Sequence, residues 1–204
     1  MKNTGKKRVY CSGPLFCPGE IAIMTKIATT LENAGFEAFL PHRDGLEPFF
    51  LKHANNKLMN SALSQPISRS LSKSGFALDL VEVILACDFF LVNLNGRVPD
   101  DGAVSEMGMA FAAGKPVLIY KDDIRTPLMG FDEPMITGAS CFSETVSKIE
   151  DIPSRLQQIE TRHFCAASED ANRFSASVQP MIKRGKKAAR LVKRLSSFKP
   201  RSYF

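Results

Sequence analysis

Three carboxylates stand close together in the stretch LNGRVPDDGAVSEMGMAFAAGKPVLIY, residues 94–120: Asp100, Asp101 and Glu106. The turn PDDG opens a predicted helix that Gly114 ends, and Pro116 begins the next apolar run. Met109, Ala110 and Ala113 follow Glu106 by three, four and seven residues, so the carboxylate shares the helix face that should pack on a sheet. A carboxylate there either accepts hydrogen bonds near a helix N-terminus, where negative charge is favoured, or serves chemistry as a nucleophile or proton carrier. Its company favours chemistry. Asp100 and Asp101 lie where a strand ends, and Tyr10 lies in another predicted strand, RVYCS. Open α/β sheets bind ligands beyond the carboxyl ends of their strands. Three acids and a phenol converging there are hard to account for as packing.

The elements that must position these groups follow in chain order. Val9–Ser12 reads as a first strand, and GPLFCPGE as a turn rich in glycine and proline that closes on Glu20, whose charge suits the first turn of a helix. That helix carries Ile23, Ile27 and Leu31 on one stripe and ends at Gly35; FEAFL, residues 36–40, is the second strand. Such an opening predicts a right-handed crossover and a parallel sheet. Residues 41–75 keep no steady period and read as a lid or substrate loop, with a short helix around Phe49 to Met59. Arg43 and Asp44 there are either ligand contacts or an ordinary RDG surface turn. From Phe76 the chain turns helical, with Asp79, Glu82, Val83 and Ala86 at helical intervals, and gives way at Asp88 to the strand FFLVNL. FFLVNL and PVLIY are apolar almost throughout, the mark of strands covered on both faces. DDIRTPLMGFDEPMITG reads as an irregular connection and ASCF as an edge strand. A helix from Glu144 to Ile159 follows, with Val146, Ile149, Ile152 and Leu156 as its stripe and an interruption near Pro153. Neither GxGxxG after the first strand nor GxxxxGK[ST] occurs, so dinucleotide and P-loop nucleotide binding have no support.

Composition sets the outer bounds. A chain of 204 residues, 44% hydrophobic and 24% charged, suits one globular domain with a core, plus a tail. No apolar run approaches the roughly 18 residues of a membrane span, and MKNTGKKRVY shows no signal-peptide core, so a cytoplasmic protein is expected. The five cysteines are odd in number and lack CxxC spacing, and are expected to be reduced and mostly buried. His42, His53 and His163 are scattered, and neither a metal nor another cofactor is expected. The net charge of +6 is uneven. Residues 1–170 hold 17 basic and all 21 acidic side chains, whereas the last 34 hold ten basic residues and no acid.

Taken together, VYCSGPLF at the first strand, FLPHRDG after the second, the helix reaching CDFFLVNL, GRVPDDGAVSEMGMAFAAGKPV, and DIRTPL with EPMITG resemble the nucleoside 2-deoxyribosyltransferase family, in order over residues 8–140. The resemblance implies an α/β, Rossmann-like (flavodoxin-like) parallel sheet with helices on both faces over residues 1–165, followed by a basic tail, helical or disordered, over 166–204. It implies enzymes that move 2-deoxyribose between nucleobases through a covalent glycosyl-enzyme ester, with relatives that instead hydrolyse the N-glycosidic bond of nucleoside monophosphates. By position Glu106 would be the nucleophile, Tyr10 its hydrogen-bonding partner, and Asp100, six residues before Glu106, the acid that manages the proton of the departing base. Oxocarbenium character at the anomeric carbon is what an adjacent carboxylate captures and later releases.

Candidate substrate contacts are Ser12, Gly13, Pro14 and Phe16 after the first strand, Arg43, then Asp101, Gly102, Met109 and Glu133. Two positions depart from the family pattern. An acid expected eight residues before the aspartate that opens the third strand falls on Leu80, with Asp79 one residue earlier, so either the helix entry shifts by one or this acid is absent. Glu133 stands in EPMI where many members carry Asn at a position shared across a subunit interface. The partners implied are nucleosides, nucleobases and further copies of the chain in a homo-oligomer. A nucleoside-monophosphate hydrolase would need Ser12 or Arg97 to receive the phosphate. A reading of another class is a non-catalytic nucleotide- or nucleic-acid-binding protein. The tail places Lys183, Lys186, Lys187, Arg190, Lys193 and Arg194 among Ala188, Ala189, Leu191, Val192 and Leu195. That pattern makes either a basic amphipathic helix open to acidic partners or a solvated appendage.

Overall fold

The computed structural model describes residues 5–46, 48, 65–96, 98–125, 132–140, 144–162 and 179–197. Two compact units share the chain: residues 1–40 with 82–169, and residues 41–81 with 170–204. The first holds a five-stranded sheet of β1 (Arg8–Ser12), β2 (Glu37–Phe39), β3 (Phe89–Asn93), β4 (Val117–Tyr120) and β5 (Thr145–Val146). All four pairings are parallel and the order is β2-β1-β3-β4-β5, so the direction of winding reverses between β1 and β3. The α/β parallel sheet expected from the sequence is therefore present, in flavodoxin-like order.

Strand periodicity divides β1 between two faces. Val9 and Cys11 enter a core with Ala38, Phe89, Leu91, Leu118 and Tyr120, closed by Met24, Ile27 and Leu31 of helix α1 (Pro18–Asn33). Ile152, Leu156 and Ile159 from helix α6 (Ile152–Arg162) complete it. On the opposite face the Tyr10 ring stacks between Phe39 and Phe90, at centroid distances of 5.3 and 5.6 Å. Helix α4 (Asp101–Ala112) lies against β3 and β4 and buries Ala103, Met107 and Ala110. Gly35 and Gly114, at φ 93° and 73°, take the left-handed turns that follow α1 and α4 and that other residues adopt reluctantly.

Several elements fall elsewhere than the sequence suggests. The edge strand is Thr145–Val146, a few residues beyond ASCF, and the stretch PMITGA is helix α5 (Pro134–Ala139) rather than irregular connection. Pro153 does not interrupt a helix begun at Glu144. It sits in the first turn of α6, where a missing amide hydrogen costs nothing because that donor has no helical partner. A 3-10 turn, Ile149–Asp151, leads into it. Cys11 and Cys87 are buried free thiols, Cys17 is exposed, and Cys141 and Cys165 lie outside the described residues.

In the second unit, α2 (Pro41–Asp44) is a single turn, and α3 (Gln65–Val81) replaces eleven residues of the expected loop, 65–75. Serine and glycine make Gln65–Gly75 a poor helix on propensity alone. Packing decides otherwise: α3 lies along α7 (Gln179–Ser197), and Leu46, Leu78, Ala188 and Val192 form one apolar cluster. Gly185 permits the approach, since a Cβ there would overlap the Ala77 carbonyl. Arg184 donates to Ser70 Oγ at 3.0 Å and Ser74 Oγ at 3.3 Å. Residues 179–197 are thus a packed helix and not a free appendage. The expected helix at Phe49 to Met59 lies outside the described residues.

Candidate active site

The crevice between β1 and β3 at the carboxyl end of an open parallel sheet is where ligands of this architecture bind. Residues spaced by two along a strand share a face, so Tyr10 and Ser12 both project toward α4. Glu106 meets them there: Tyr10 Oη donates to Oε1 at 2.7 Å and Ser12 Oγ to Oε2 at 2.6 Å. Both hydroxyl residues are buried, at 0% and 3% exposure, while Glu106 keeps part of its surface open. The carboxylate is therefore held from the strand side, on a residue that is only partly buried.

Burial raises the Glu106 pKa above the ordinary glutamate value. The Ser12 and Tyr10 hydrogen bonds, which favour the anion, oppose that shift, and the nearby negative charge of Asp100 adds to it. Neutral hydroxyls thus hold this carboxylate; no cation forms an ion pair with it among the described residues.

Asp100 is the N-cap of α4, and its Oδ1 accepts from the Ala103 amide at 2.6 Å. Capping of this kind fixes where the helix starts, and hence where Glu106 points, one and a half turns further on. Gly102 leaves room for the cap, because a Cβ there would stand 3.2 Å from Asp100 Oδ1. Gly13 has a comparable reason: its Cβ would lie 2.8 Å from Asn93 Cβ and 3.0 Å from Met24 Sδ, so a side chain would push the end of β1 away from β3. Beside it, Asn93 Oδ1 accepts from the Asn95 amide, and Asn95 Oδ1 from the amides of Asp122 and Asp123, tying the ends of β3 and β4 together.

The remaining candidates are placed as follows. Pro14 belongs to the segment after β1, Phe16 is 81% exposed, and the Phe16 and Cys17 amides both donate to Glu20. Asp101 is exposed in the first turn of α4 and Met109 is half-buried on the same helix. Glu133 caps α5, accepting from the Met135 amide at 2.6 Å. Arg43 and Asp79 belong to the second unit: Arg43 pairs with Asp44 at 2.9 Å, and Asp79 is half-buried on α3 beside the buried Leu80. Arg97 lies outside the described residues.

One contact was missed from the sequence. Ser12 reads there as a substrate contact, whereas its hydroxyl is directed onto Glu106. The period-two relation to Tyr10 is the signal that could have found it.

The class of protein these observations define is an α/β fold with a flavodoxin-like parallel sheet, whose first strand delivers two buried hydroxyls to a helix-borne carboxylate. The chain belongs to the nucleoside 2-deoxyribosyltransferase family, whose model matches residues 9–167. Membership makes it an enzyme acting on N-glycosidic bonds of nucleosides, by transfer or by hydrolysis.

Among solved structures, a conserved protein from Enterococcus faecalis V583 shares the fold at TM-score 0.53 and 20% identity, covering 76% of this chain and 99% of its own. A 2-deoxyribosyltransferase from Bacillus psychrosaccharolyticus gives TM-score 0.48 at 16% identity, over 72% of this chain and 90% of its own. The CMP N-glycosidase of Clostridium botulinum gives 0.39 at 18% identity, over 75% and 99%. A search of curated protein sequences found no match.

Proposed function

We propose that this enzyme transfers 2-deoxyribose between nucleobases through a covalent ester on Glu106. The observation that carries this reading is the Tyr10–Glu106–Ser12 arrangement: a carboxylate oriented by two buried neutral donors on a residue that keeps part of its surface exposed. A glutamate neutralised by a lysine or arginine would be a weaker nucleophile, because the charge needed at the anomeric carbon would already be spent.

In the first step a Glu106 oxygen bonds to C1′ as the bond from C1′ to the base nitrogen breaks, and the electron pair leaves with the base. Asp100 supplies the proton that makes the base a stable leaving group. Its Oδ1 is occupied by the cap, which leaves Oδ2 for that proton. A second nucleobase then attacks C1′, gives its N–H proton back to Asp100 and releases the Glu106 carboxylate; water in its place, losing its proton to Asp100, gives hydrolysis. Loss of the 2-hydroxyl eases the chemistry, since an electron-withdrawing group next to the forming cation is gone.

Hydrolysis of nucleoside 5′-monophosphates is the weaker reading here. Ser12, one of the two alternative phosphate contacts, donates its hydroxyl to Glu106. We further infer a homo-oligomer. Phe16, Val98, Ile124 and Met135 are 81%, 71%, 95% and 81% exposed, and all lie in segments that follow the carboxyl ends of β1, β3 and β4. Several large apolar side chains exposed at one end of a sheet suit contact with another copy.

The deciding assay mixes the purified protein with deoxyadenosine and free cytosine and follows deoxycytidine by chromatography. Deoxycytidine should accumulate with adenine in equal amount. Release of base and free sugar without exchange would instead assign hydrolysis. Turnover of deoxyadenosine monophosphate but not deoxyadenosine would reverse the choice of substrate.

A further inference from the structure

Helix α7 has two faces with separate fates. At 100° per residue, Lys183, Lys186, Lys187, Arg190, Lys193 and Arg194 fall within an arc of about 120°; Gly185, Ala188 and Val192 fall on the opposite side, and Ile182 and Ala189 lie between the two. The apolar side is occupied: Ile182, Ala188 and Val192 are 3%, 5% and 9% exposed, and Gly185 lies against α3. All six cations are exposed. Among the described residues no carboxylate forms an ion pair with Lys183, Lys186, Lys187, Arg190 or Lys193, and the chain contains no acid after Asp170.

Keeping like charges at three- and four-residue spacing along one face costs stability through mutual repulsion. The cost is relieved when a polyanion lies along the stripe. We propose that the cationic face of α7 is a docking surface for the phosphate backbone of a nucleic acid strand, separate in function from the carboxylate site and independent of base sequence.

Two physical points select a nucleic acid over a membrane surface. A membrane-binding amphipathic helix must insert its apolar face, and here that face is already buried against α3 and Leu46. Among the described side chains, what remains is charge without apolar anchors, apart from Leu191 at the flank, which is 48% exposed. Polycations of this kind bind nucleic acid through release of condensed counterions, a gain that rises with each phosphate neutralised. Three turns of helix present cations at successive levels about 5 Å apart, a ladder able to follow a strand rather than to clasp one isolated phosphate.

The test is fluorescence anisotropy of the full chain with a labelled single-stranded oligothymidylate of about 20 nucleotides. Four neutralised phosphates predict a log–log salt slope near −3, so affinity should drop about 50-fold between roughly 50 and 200 mM salt. Replacing Lys183, Lys186, Lys187 and Arg190 together by Gln should remove most of the binding and flatten the salt dependence by about 0.7 unit per cation. Replacing Lys183, Lys186, Lys187 and Lys193 by Arg should preserve it, which controls for any change in the helix. Base-exchange activity should be the same in all three proteins, so a failure here and a failure of the glycosyl-transfer reading are told apart. Absent or salt-insensitive binding, equal binding by the Gln variant, or tighter binding to phosphatidylserine vesicles than to the oligonucleotide would each overturn the proposal.

Discussion

The two ends of β1 treat carboxylates in opposite ways. At the amino end Arg8 reaches Glu82 at 2.9 Å, forms an ion pair with Glu37, lies 5.1 Å from the centre of the Phe39 ring, and donates its backbone amide to Asp88 at 2.7 Å. At the carboxyl end, four residues on and along the same strand face, Tyr10 and Ser12 hold Glu106 with hydroxyls alone. Glu82 is 7% exposed and its charge is matched by a guanidinium. Glu106 is less buried and has no such partner among the described residues. A carboxylate met by a cation has its charge already satisfied and serves to hold the fold. One met by neutral donors is oriented while its charge is left unmatched, which suits attack on an electron-poor carbon once it is ionised.

The sharpest way to break the contrast is Glu106→Gln, which keeps the shape and removes the charge. Base exchange should fall by about 10⁴-fold or more, the scale at which loss of a covalent nucleophile is felt, while the thermal midpoint stays the same or rises. A large loss of stability with modest loss of rate would mean that Glu106 is the structural acid. Next in size is Arg8→Met, expected to lower the unfolding free energy in urea by about 3 kcal/mol because it strands Glu82 in a buried setting. Below the melting range the folded variant should retain activity; inactivity of a well-folded variant would show that the amino-end cluster is not separate from the site.

Tyr10→Phe and Ser12→Ala sharpen the comparison, each removing a hydrogen bond to a charged group and so costing roughly ten- to 100-fold in rate. Their pH profiles carry a sign. Glu106 must be ionised to attack, and burial raises its pKa, so the acidic limb of kcat/KM should lie above the usual 4.5 of a glutamate. Either substitution removes an influence that favours the anion and should move the limb to higher pH. Asp100→Asn, which removes a neighbouring negative charge yet still caps α4, should move the limb of the remaining rate to lower pH. A limb that stays in place in all three would disconnect Glu106 from it.

Much of the fold was legible because burial leaves a plain mark. FFLVN and VLIY are apolar enough that only a sheet covered on both faces suits them, and α1 carries its stripe with Gly35 at its end. Helix α3 was not legible below Phe76, since its serines and Gly75 are tolerated only through contact with α7, more than 100 residues later. Nor was the edge strand, whose two residues carry too little pattern to fix a register.

The candidate site divides in the same manner. Residue type and spacing alone single out Glu106, the turn acids before it and Tyr10 as candidates, because a carboxylate on a packing face and acids at a strand end need a reason. The sequence also settles that the positive charge belongs to the last 34 residues. Tertiary structure alone decided that Ser12 serves Glu106 and that Asp100 spends one oxygen on a cap. It also decided that the basic segment packs as α7. Each of these is a question of which partner satisfies a polar or apolar group, and partners distant in sequence meet only when the strands and helices have been set side by side.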